Sequence, residues 1–164
     1  EIESDPGAGT VVRLYLPQIE KGSSTTASGP QILGVARGNE CILVVEDEKL
    51  VRDLVGEILQ AEGYHVVMAK DGREALDIVE TRADVPFALL VTDMVMPNMG
   101  GEELSQRLKA RQPDLSVILM TGYSETGRPD VFPNGDRIHH LDKPFLPQVL
   151  VSQVRQALDE KAAR

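Results

Sequence analysis

The sequence predicts an α/β domain built on a doubly wound, five-stranded parallel sheet with the strand order 2-1-3-4-5. Two features of the sequence lead to this prediction, the composition of the short runs and the periodicity of the segments between them. From residue 41 onward, short and almost wholly apolar runs alternate with longer segments whose apolar residues recur at helical spacing. Such strands are typical of a parallel sheet that helices cover on both faces. Crossovers between these strands are right-handed, and a flavodoxin-like winding is the simplest arrangement that they allow.

Each element can be placed from local signals. The predicted strands are residues 41–45, 64–69, 87–92, 115–120 and 137–141. The predicted helices are residues about 48–62, about 72–80, about 101–111 and a last one from 147 onward. Gly63 ends the first helix, and Asp71 with Glu74 forms a capping box for the second. Pro113 follows the end of the third, and Pro147 suits the first turn of the last.

The segment 124–136, SETGRPDVFPNGD, interrupts the alternation where the topology calls for a fourth helix. Its two prolines and two glycines disfavour a long helix. We therefore expect a loop that contains at most one or two helical turns, so that the fourth helix is short or irregular.

Composition limits the function. The chain of 164 residues carries a formal net charge of −9, so we expect no direct contact with nucleic acid or anionic lipid. Its single cysteine, Cys41, cannot form an internal disulfide, which fits a reducing cytoplasmic compartment. No apolar run approaches the roughly 20 residues that span a bilayer, and we expect no signal peptide. We expect a cytoplasmic protein without membrane contact by this segment.

Three regions are expected along the chain. Residues 20–39 are rich in Ser, Thr and Gly and read as a flexible linker. The alternating pattern occupies residues 40–160. Residues 1–19 are too short to fold alone, and we expect residues 1–38 to be disordered or loosely packed. The chain begins with Glu, which suggests a fragment of a longer protein.

Polar residues follow the apolar strands at one edge of the predicted sheet. Glu46 and Asp47 follow the first strand, Asp93 the third, Thr121 the fourth and Lys143 the fifth. In such sheets ligands bind outside the carboxyl ends of the strands, at the switch point between the first and third. We expect these five side chains to converge there.

This constellation suits phosphoryl transfer. Clustered carboxylates repel one another unless a cation lies among them, and an all-oxygen cluster favours Mg²⁺. Asp93 can act as a carboxylate nucleophile, which would yield an acyl phosphate. Lys143 and the metal neutralise charge on the transferring oxygens, and Thr121 can donate a hydrogen bond to one of them.

Residues 40–160 resemble the receiver domain of two-component response regulators. The matching motifs are ILVVEDE (42–48), LLVTDMVMPNMGGEEL (89–104), ILMTGYS (118–124) and LDKPF (141–145). The resemblance implies that Asp93 is the phosphoacceptor and that Lys143 contacts the phosphoryl group. It implies Mg²⁺ ligands, switch residues and loop-shaping residues as well. The implied ligands are Glu46, Asp47, Asp93 and the backbone carbonyl of Val95; the switch hydroxyl is Thr121; the loop-shaping residues are Pro97, Gly101 and Pro144.

The sequence departs from the family pattern at two places. The family usually carries Tyr or Phe as a rotating switch three residues before the lysine, where this chain has His140. An imidazole could swing in the same way, and whether His140 does so stays open. The proline-containing segment 124–136 would alter the surface that the family often presents to partners.

Residues 1–19 carry a second resemblance. The stretch ESDPGAGTVVRLYLP, with its Gly-x-Gly-Thr loop at residues 7–10, resembles the end of a histidine kinase ATP-binding domain, where the loop leads into a final strand. The implied parent is a hybrid sensor histidine kinase with a C-terminal receiver domain. The implied phosphodonor is a histidine kinase or a histidine phosphotransfer domain. The receiver itself would be an acceptor, and whether it also hydrolyses its acyl phosphate stays open.

Two other classes of function were weighed against the phosphoacceptor. A receiver-like docking module that takes no phosphate would agree better with a replaced acceptor, whereas all five site residues are present here. A flavodoxin-like nucleotide-binding or phosphatase domain would need a glycine-rich phosphate loop after the first strand, where this chain has Glu46 and Asp47.

Overall fold

A computed structural model describes residues 1–7, 9–13, 15, 38–82, 86–122, 131–132, 135 and 137–162. The strands are β1 (Ile2–Asp5), β2 (Gly9–Val12), β3 (Cys41–Val45), β4 (His65–Ala69), β5 (Leu89–Asp93), β6 (Ser116–Thr121) and β7 (His139–Asp142). The helices are α1 (Lys49–Ala61), α2 (Gly72–Thr81), α3 (Gly101–Arg111) and α4 (Pro147–Ala162). The chain divides into two units, residues 1–34 and 35–164.

The second unit contains a five-stranded sheet with the order β4-β3-β5-β6-β7. Every neighbouring pair of these strands is parallel. In the numbering of the predicted strands this order is 2-1-3-4-5, so the predicted doubly wound α/β fold is confirmed. The switch point lies between β3 and β5, where the chain leaves the centre of the sheet in opposite directions.

Alternate residues of each central strand enter two separate apolar cores, because successive side chains of a strand point to opposite faces. On one face, Leu43, Leu90 and Leu119 pack with residues of α2 and α3. On the other face, Val91 and Ile118 pack with residues of α1 and α4. Both faces of the sheet are therefore buried at its centre, which is why β3, β5 and β6 read as almost continuous apolar runs.

The helix boundaries follow the signals in the sequence. The Asp71 carboxylate accepts a hydrogen bond from the backbone N–H of Glu74 at 2.8 Å and so caps α2. The Glu74 carboxylate accepts in return from the backbone N–H of Lys70 at 2.7 Å, one residue before the cap. Gly63 follows α1 with a φ of 95°, a conformation that favours glycine.

The predicted strand and helix boundaries agree with the structure to within about two residues, which is the usual scatter at element ends. The short fourth helix predicted within 124–136 falls largely outside the described residues. The described part of that segment contributes an isolated antiparallel bridge between Val131 and Arg137.

The first unit contains a β-hairpin. β1 and β2 pair antiparallel, from Ile2 opposite Val12 to Asp5 opposite Gly9, and all of their residues are exposed. The resemblance to a kinase ATP-binding domain implied the strand after the glycines, whereas β1, with a single apolar residue and no alternation, was not predicted. The paired strands are more ordered than the disorder or loose packing expected for residues 1–38. The predicted linker at 20–39 lies outside the described residues except at 38–39, and the boundaries at 19 and 40 remain predictions.

Candidate functional site

Three carboxylates meet where β3 and β5 end. Glu46 and Asp47 follow β3, and Asp93 is the last residue of β5. The strands pair with Val45 opposite Thr92, so the next residues, Glu46 and Asp93, are neighbours across the sheet. One oxygen from each of the three carboxylates lies within 4.8 Å of the other two. Glu46 is 1% exposed, Asp93 is half-buried and Asp47 is exposed, so the cluster opens to solvent on one side.

Lys143 completes this cluster from the end of β7. Its Nζ atom lies 2.6 Å from Oε2 of Glu46 and 3.2 Å from Oδ2 of Asp93. Its backbone N–H donates to the carbonyl of Thr121 at 2.8 Å, which holds the residue beside the end of β6. The peptide bond between Lys143 and Pro144 is cis. Burial disfavours the charged ammonium, but the hydrogen bond and charge of Glu46, with the charge of Asp93, outweigh it and raise the pKa of Lys143.

Glu46 is the most deeply buried charge of the site. Burial raises the pKa of its carboxyl group, and the ammonium of Lys143 opposes that rise. The backbone N–H of Glu48 also donates to Glu46, at 3.3 Å. The guanidinium of Arg52 on α1 donates to the backbone carbonyl of Glu46 at 2.6 Å, and so helps to fix the loop that carries two of the carboxylates. Arg52 was not predicted as part of the site, because no local pattern relates it to a carbonyl six residues earlier.

The donor set fits a hard divalent cation. Every ligand atom in the cluster is a carboxylate oxygen, the atom type that such cations prefer. The ammonium of Lys143 already lies against two of these carboxylates, so the cluster attracts positive charge in the structure itself. Val95, whose carbonyl is the predicted additional ligand, lies two residues after Asp93 and is an exposed residue.

Thr121 ends β6 but does not join the acidic cluster. By strand alternation, its side chain lies on the sheet face that carries Leu119, whereas Asp93 lies on the face that carries Val91. The Thr121 hydroxyl donates instead to Oδ1 of Asp142 at 2.8 Å. Asp142 was also missed, although it ends a strand at the same edge of the sheet and that position could have revealed it.

The loop between β5 and α3 packs closely against the backbone of Asp93. A Cβ atom added to Gly101 would lie 2.2 Å from the backbone oxygen of Asp93, so only glycine fits. The Gly101 N–H donates to the carbonyl of Met94 at 3.0 Å. The carbonyl of Pro97 accepts from the N–H of Met99 at 2.8 Å. These contacts tie the start of α3 to the end of β5 and therefore hold Asp93 in place.

A family model described as the response regulator receiver domain matches residues 42–155. The chain belongs to this family. It is a receiver domain of two-component phosphorelay signalling, a class of domain that accepts a phosphoryl group.

Individual relatives agree with this assignment. The chain is 31% identical to sensor kinase CckA of Brucella abortus, over 97% of this chain and 18% of that protein. It is 37% identical to sporulation initiation phosphotransferase F of Bacillus subtilis, over 65% of this chain and 84% of that protein. A crystal structure of the receiver domain from the hybrid histidine kinase CckA aligns with a TM-score of 0.60 and 34% identity, over 72% of this chain and 98% of that one. The chain is 36% identical to response regulator RR06 of Streptococcus pneumoniae, and the matched region covers 51% of that protein's length.

Two histidines lie next to each other in β7 of the receiver domain. His140 is half-buried and lies opposite Leu119 of β6, on the same face as Thr121. His139 is 8% exposed, and its Nε2 atom lies 3.5 Å from a carboxylate oxygen of Glu160. Burial lowers the pKa of His139. The switch role of His140 stays a prediction.

Within the described part of the receiver and the hairpin, no helix is both long and apolar enough to cross a bilayer.

Proposed function

We propose that Asp93 is the phosphoacceptor and that a phosphohistidine is its donor. The observation that carries this proposal is the position of Lys143, whose ammonium lies 3.2 Å from Asp93 and 2.6 Å from Glu46. A half-buried carboxylate at the switch point of the sheet, with a fixed cation beside it, is suited to receive a dianionic group.

In the transfer, a carboxylate oxygen of Asp93 attacks phosphorus. The new O–P bond forms as the P–N bond of the phosphohistidine breaks, and the electron pair of that bond returns to the imidazole nitrogen. Lys143 neutralises part of the negative charge on the phosphoryl oxygens, and it can do so without a rearrangement of the site. The result is an acyl phosphate on Asp93.

The cofactor in this proposal is Mg²⁺. Glu46, Asp47, Asp93 and the carbonyl of Val95 would hold it, because their oxygen atoms match its preference for hard ligands. When bound, the ion supplies positive charge that offsets the repulsion between the carboxylates and the incoming phosphoryl group. Arg52 and the backbone N–H of Glu48 keep the loop of Glu46 in position for this role.

We also propose that the parent protein is a hybrid sensor histidine kinase that works in the cytoplasm. The similarity to sensor kinase CckA extends over 97% of this chain and so includes residues before the receiver domain. The Gly-x-Gly-Thr loop at residues 7–10 agrees with the end of a kinase ATP-binding domain. The phosphodonor would then be the kinase of the parent protein or a separate histidine phosphotransfer domain.

The test is phosphorylation of the full 164-residue chain by acetyl phosphate in Mg²⁺, read by intact mass. The wild-type protein should gain one phosphoryl group, and Asp93→Asn should gain none. Asp77→Asn, at an exposed aspartate on α2, is the matched control and should behave as wild type. Acid-stable labelling that persists in Asp93→Asn would show that the acceptor is elsewhere, and a wild-type protein that takes no phosphate would favour the docking module.

An amide-shift titration tests the metal and switch assignments. Mg²⁺ alone should shift residues 46–47 and 93–97, and adding beryllofluoride, which mimics the phosphoryl group, should extend the shifts to Thr121 and Lys143. A further spread to His140 would support its switch role. The absence of any response to Mg²⁺ would contradict the metal site.

A further inference from the structure

Thr121 and Asp142 form a hydrogen bond beside the phosphoacceptor site that the proposed function does not use. The two residues are register partners at the ends of β6 and β7. The Thr121 side chain is fully buried, and its hydroxyl donates to Oδ1 of Asp142 at 2.8 Å. The Asp142 carboxylate is exposed to solvent. A buried donor and an exposed anionic acceptor therefore meet at the rim of the site.

A threonine hydroxyl has a single proton to donate. While that proton is shared with Asp142, it cannot be donated to a phosphoryl oxygen on Asp93. The backbone on both sides is held, since the N–H of Lys143 donates to the Thr121 carbonyl at 2.8 Å. This bond keeps the ends of β6 and β7 paired, so the change of partner that we infer below is a movement of the Thr121 side chain at the edge of the sheet.

We propose that Asp142 is a positioning residue that holds the Thr121 hydroxyl away from the acceptor until Asp93 carries a phosphoryl group. This inference rests on the proposed function. The phosphoryl oxygens compete with the carboxylate for one proton, and a more strongly charged acceptor forms the stronger hydrogen bond. When the hydroxyl leaves, water can solvate the exposed Asp142 carboxylate, so the release leaves no buried charge without a partner.

The consequence is that the Asp142 carboxylate lowers the affinity of the unphosphorylated domain for a phosphoryl group or its mimic, beryllofluoride. Without its carboxylate, the Thr121 hydroxyl no longer has to break its hydrogen bond to Asp142 before it can donate to a phosphoryl oxygen. The net value of one hydrogen bond corresponds to about a fivefold change in an equilibrium constant. Asp142→Ala should therefore bind beryllofluoride about fivefold more tightly than wild type, and only because Thr121 is present.

The experiment is a double-mutant cycle on the full chain, with the dissociation constant for beryllofluoride measured by calorimetry at saturating Mg²⁺. The variants are Asp142→Ala, Thr121→Val and the double variant. Asp142→Asn removes the charge but keeps an acceptor oxygen, so it measures the part of the effect that is due to charge alone. Thr121→Ser keeps the hydroxyl, and combined with Asp142→Ala it should reproduce the tighter binding if Thr121→Val fails to fold.

The expected result is about fivefold tighter binding from Asp142→Ala in the wild-type background and less than about twofold in the Thr121→Val background. An equal gain in beryllofluoride affinity in both backgrounds would show that Asp142 acts only through its negative charge and not through Thr121, which would overturn the proposal. Unchanged or weaker binding by Asp142→Ala would overturn it as well. If wild type binds no beryllofluoride, both the proposed function and this inference are refuted. If wild type binds it but Asp142 and Thr121 show no coupling, only this inference is refuted.

Discussion

Replacement of Gly101 by alanine should destabilise the receiver domain and disturb its acceptor. The new Cβ atom would lie 2.2 Å from the backbone oxygen of Asp93 and 2.9 Å from Cγ2 of Thr92. Contacts below 3.0 Å are essentially never seen for real Cβ atoms, so the start of α3 and the end of β5 must separate by roughly 0.8 Å. The first of these contacts is to backbone, which cannot be relieved by a change of rotamer.

Overpacking of this kind costs about 1–3 kcal/mol, against which alanine recovers at most about 1 kcal/mol of helix propensity. The net loss in the free energy of unfolding is therefore at most about 3 kcal/mol, and about 1 kcal/mol for a mid-range overpacking cost with the full gain in propensity. Gly122→Ala is the matched control, because a Cβ atom there would meet no atom of the described residues within 4 Å. It should leave stability unchanged or raise it by up to about 1 kcal/mol.

The assay is equilibrium unfolding in urea, in which the midpoint and the slope are compared among wild type and the two variants. Gly101→Ala should have a lower midpoint than Gly122→Ala with an unchanged slope. The displaced backbone also moves the Asp93 carboxylate relative to Lys143, so beryllofluoride affinity should fall in the same variant. A Gly101→Ala protein as stable as Gly122→Ala would refute the close packing on which this reasoning depends.

Three further predictions follow from other contacts. Lys143→Ala should leave Mg²⁺ binding largely intact, since the carboxylates remain, but should impair phosphorylation, and a collapse of Mg²⁺ affinity in a titration would contradict its role. Asp71→Ala removes the cap of α2 and should cost about 1 kcal/mol in urea unfolding, whereas the exposed Asp77→Ala should change stability by less than about 0.5 kcal/mol. Burial lowers the pKa of His139, so the unfolded chain binds more protons between the folded pKa and the ordinary value of 6.5. The free energy of unfolding should therefore fall as the pH drops through that window. The difference between the urea midpoints near pH 7 and near pH 5 should be smaller in His139→Gln than in wild type, and an equal difference would exclude His139 as the cause.

The sequence was informative about the fold because the domain is built from elements with strong local signals. Its central strands β3, β5 and β6 are buried on both faces, so each reads as an apolar run that can be recognised without knowledge of its neighbours. The cap at Asp71 and the glycine at residue 63 mark helix ends by backbone chemistry that acts within a few residues. Strand β1 carries no such signal, and it was not predicted.

The acidic cluster could also be predicted, because a parallel sheet brings the carboxyl ends of its strands to one edge. Knowing that Asp93 and Lys143 follow the third and fifth strands was enough to place them near each other. Thr121 was predicted to lie in the site for the same reason, but in the structure its hydroxyl donates to Asp142. Proximity at an edge depends on topology, but the direction of a hydroxyl depends on which acceptor lies nearest.

The sequence by itself therefore determined the sheet, its order and most of the polar residues at the carboxyl edge of the strands, since these depend on periodicity and chain direction. The tertiary structure alone decided which atoms meet. It decided that Lys143 bridges Glu46 and Asp93, that Arg52 supports the acidic loop and that Asp142 holds the Thr121 hydroxyl. These contacts join residues far apart in the chain or on different elements, and only the packing of helices and strands fixes the distances between them.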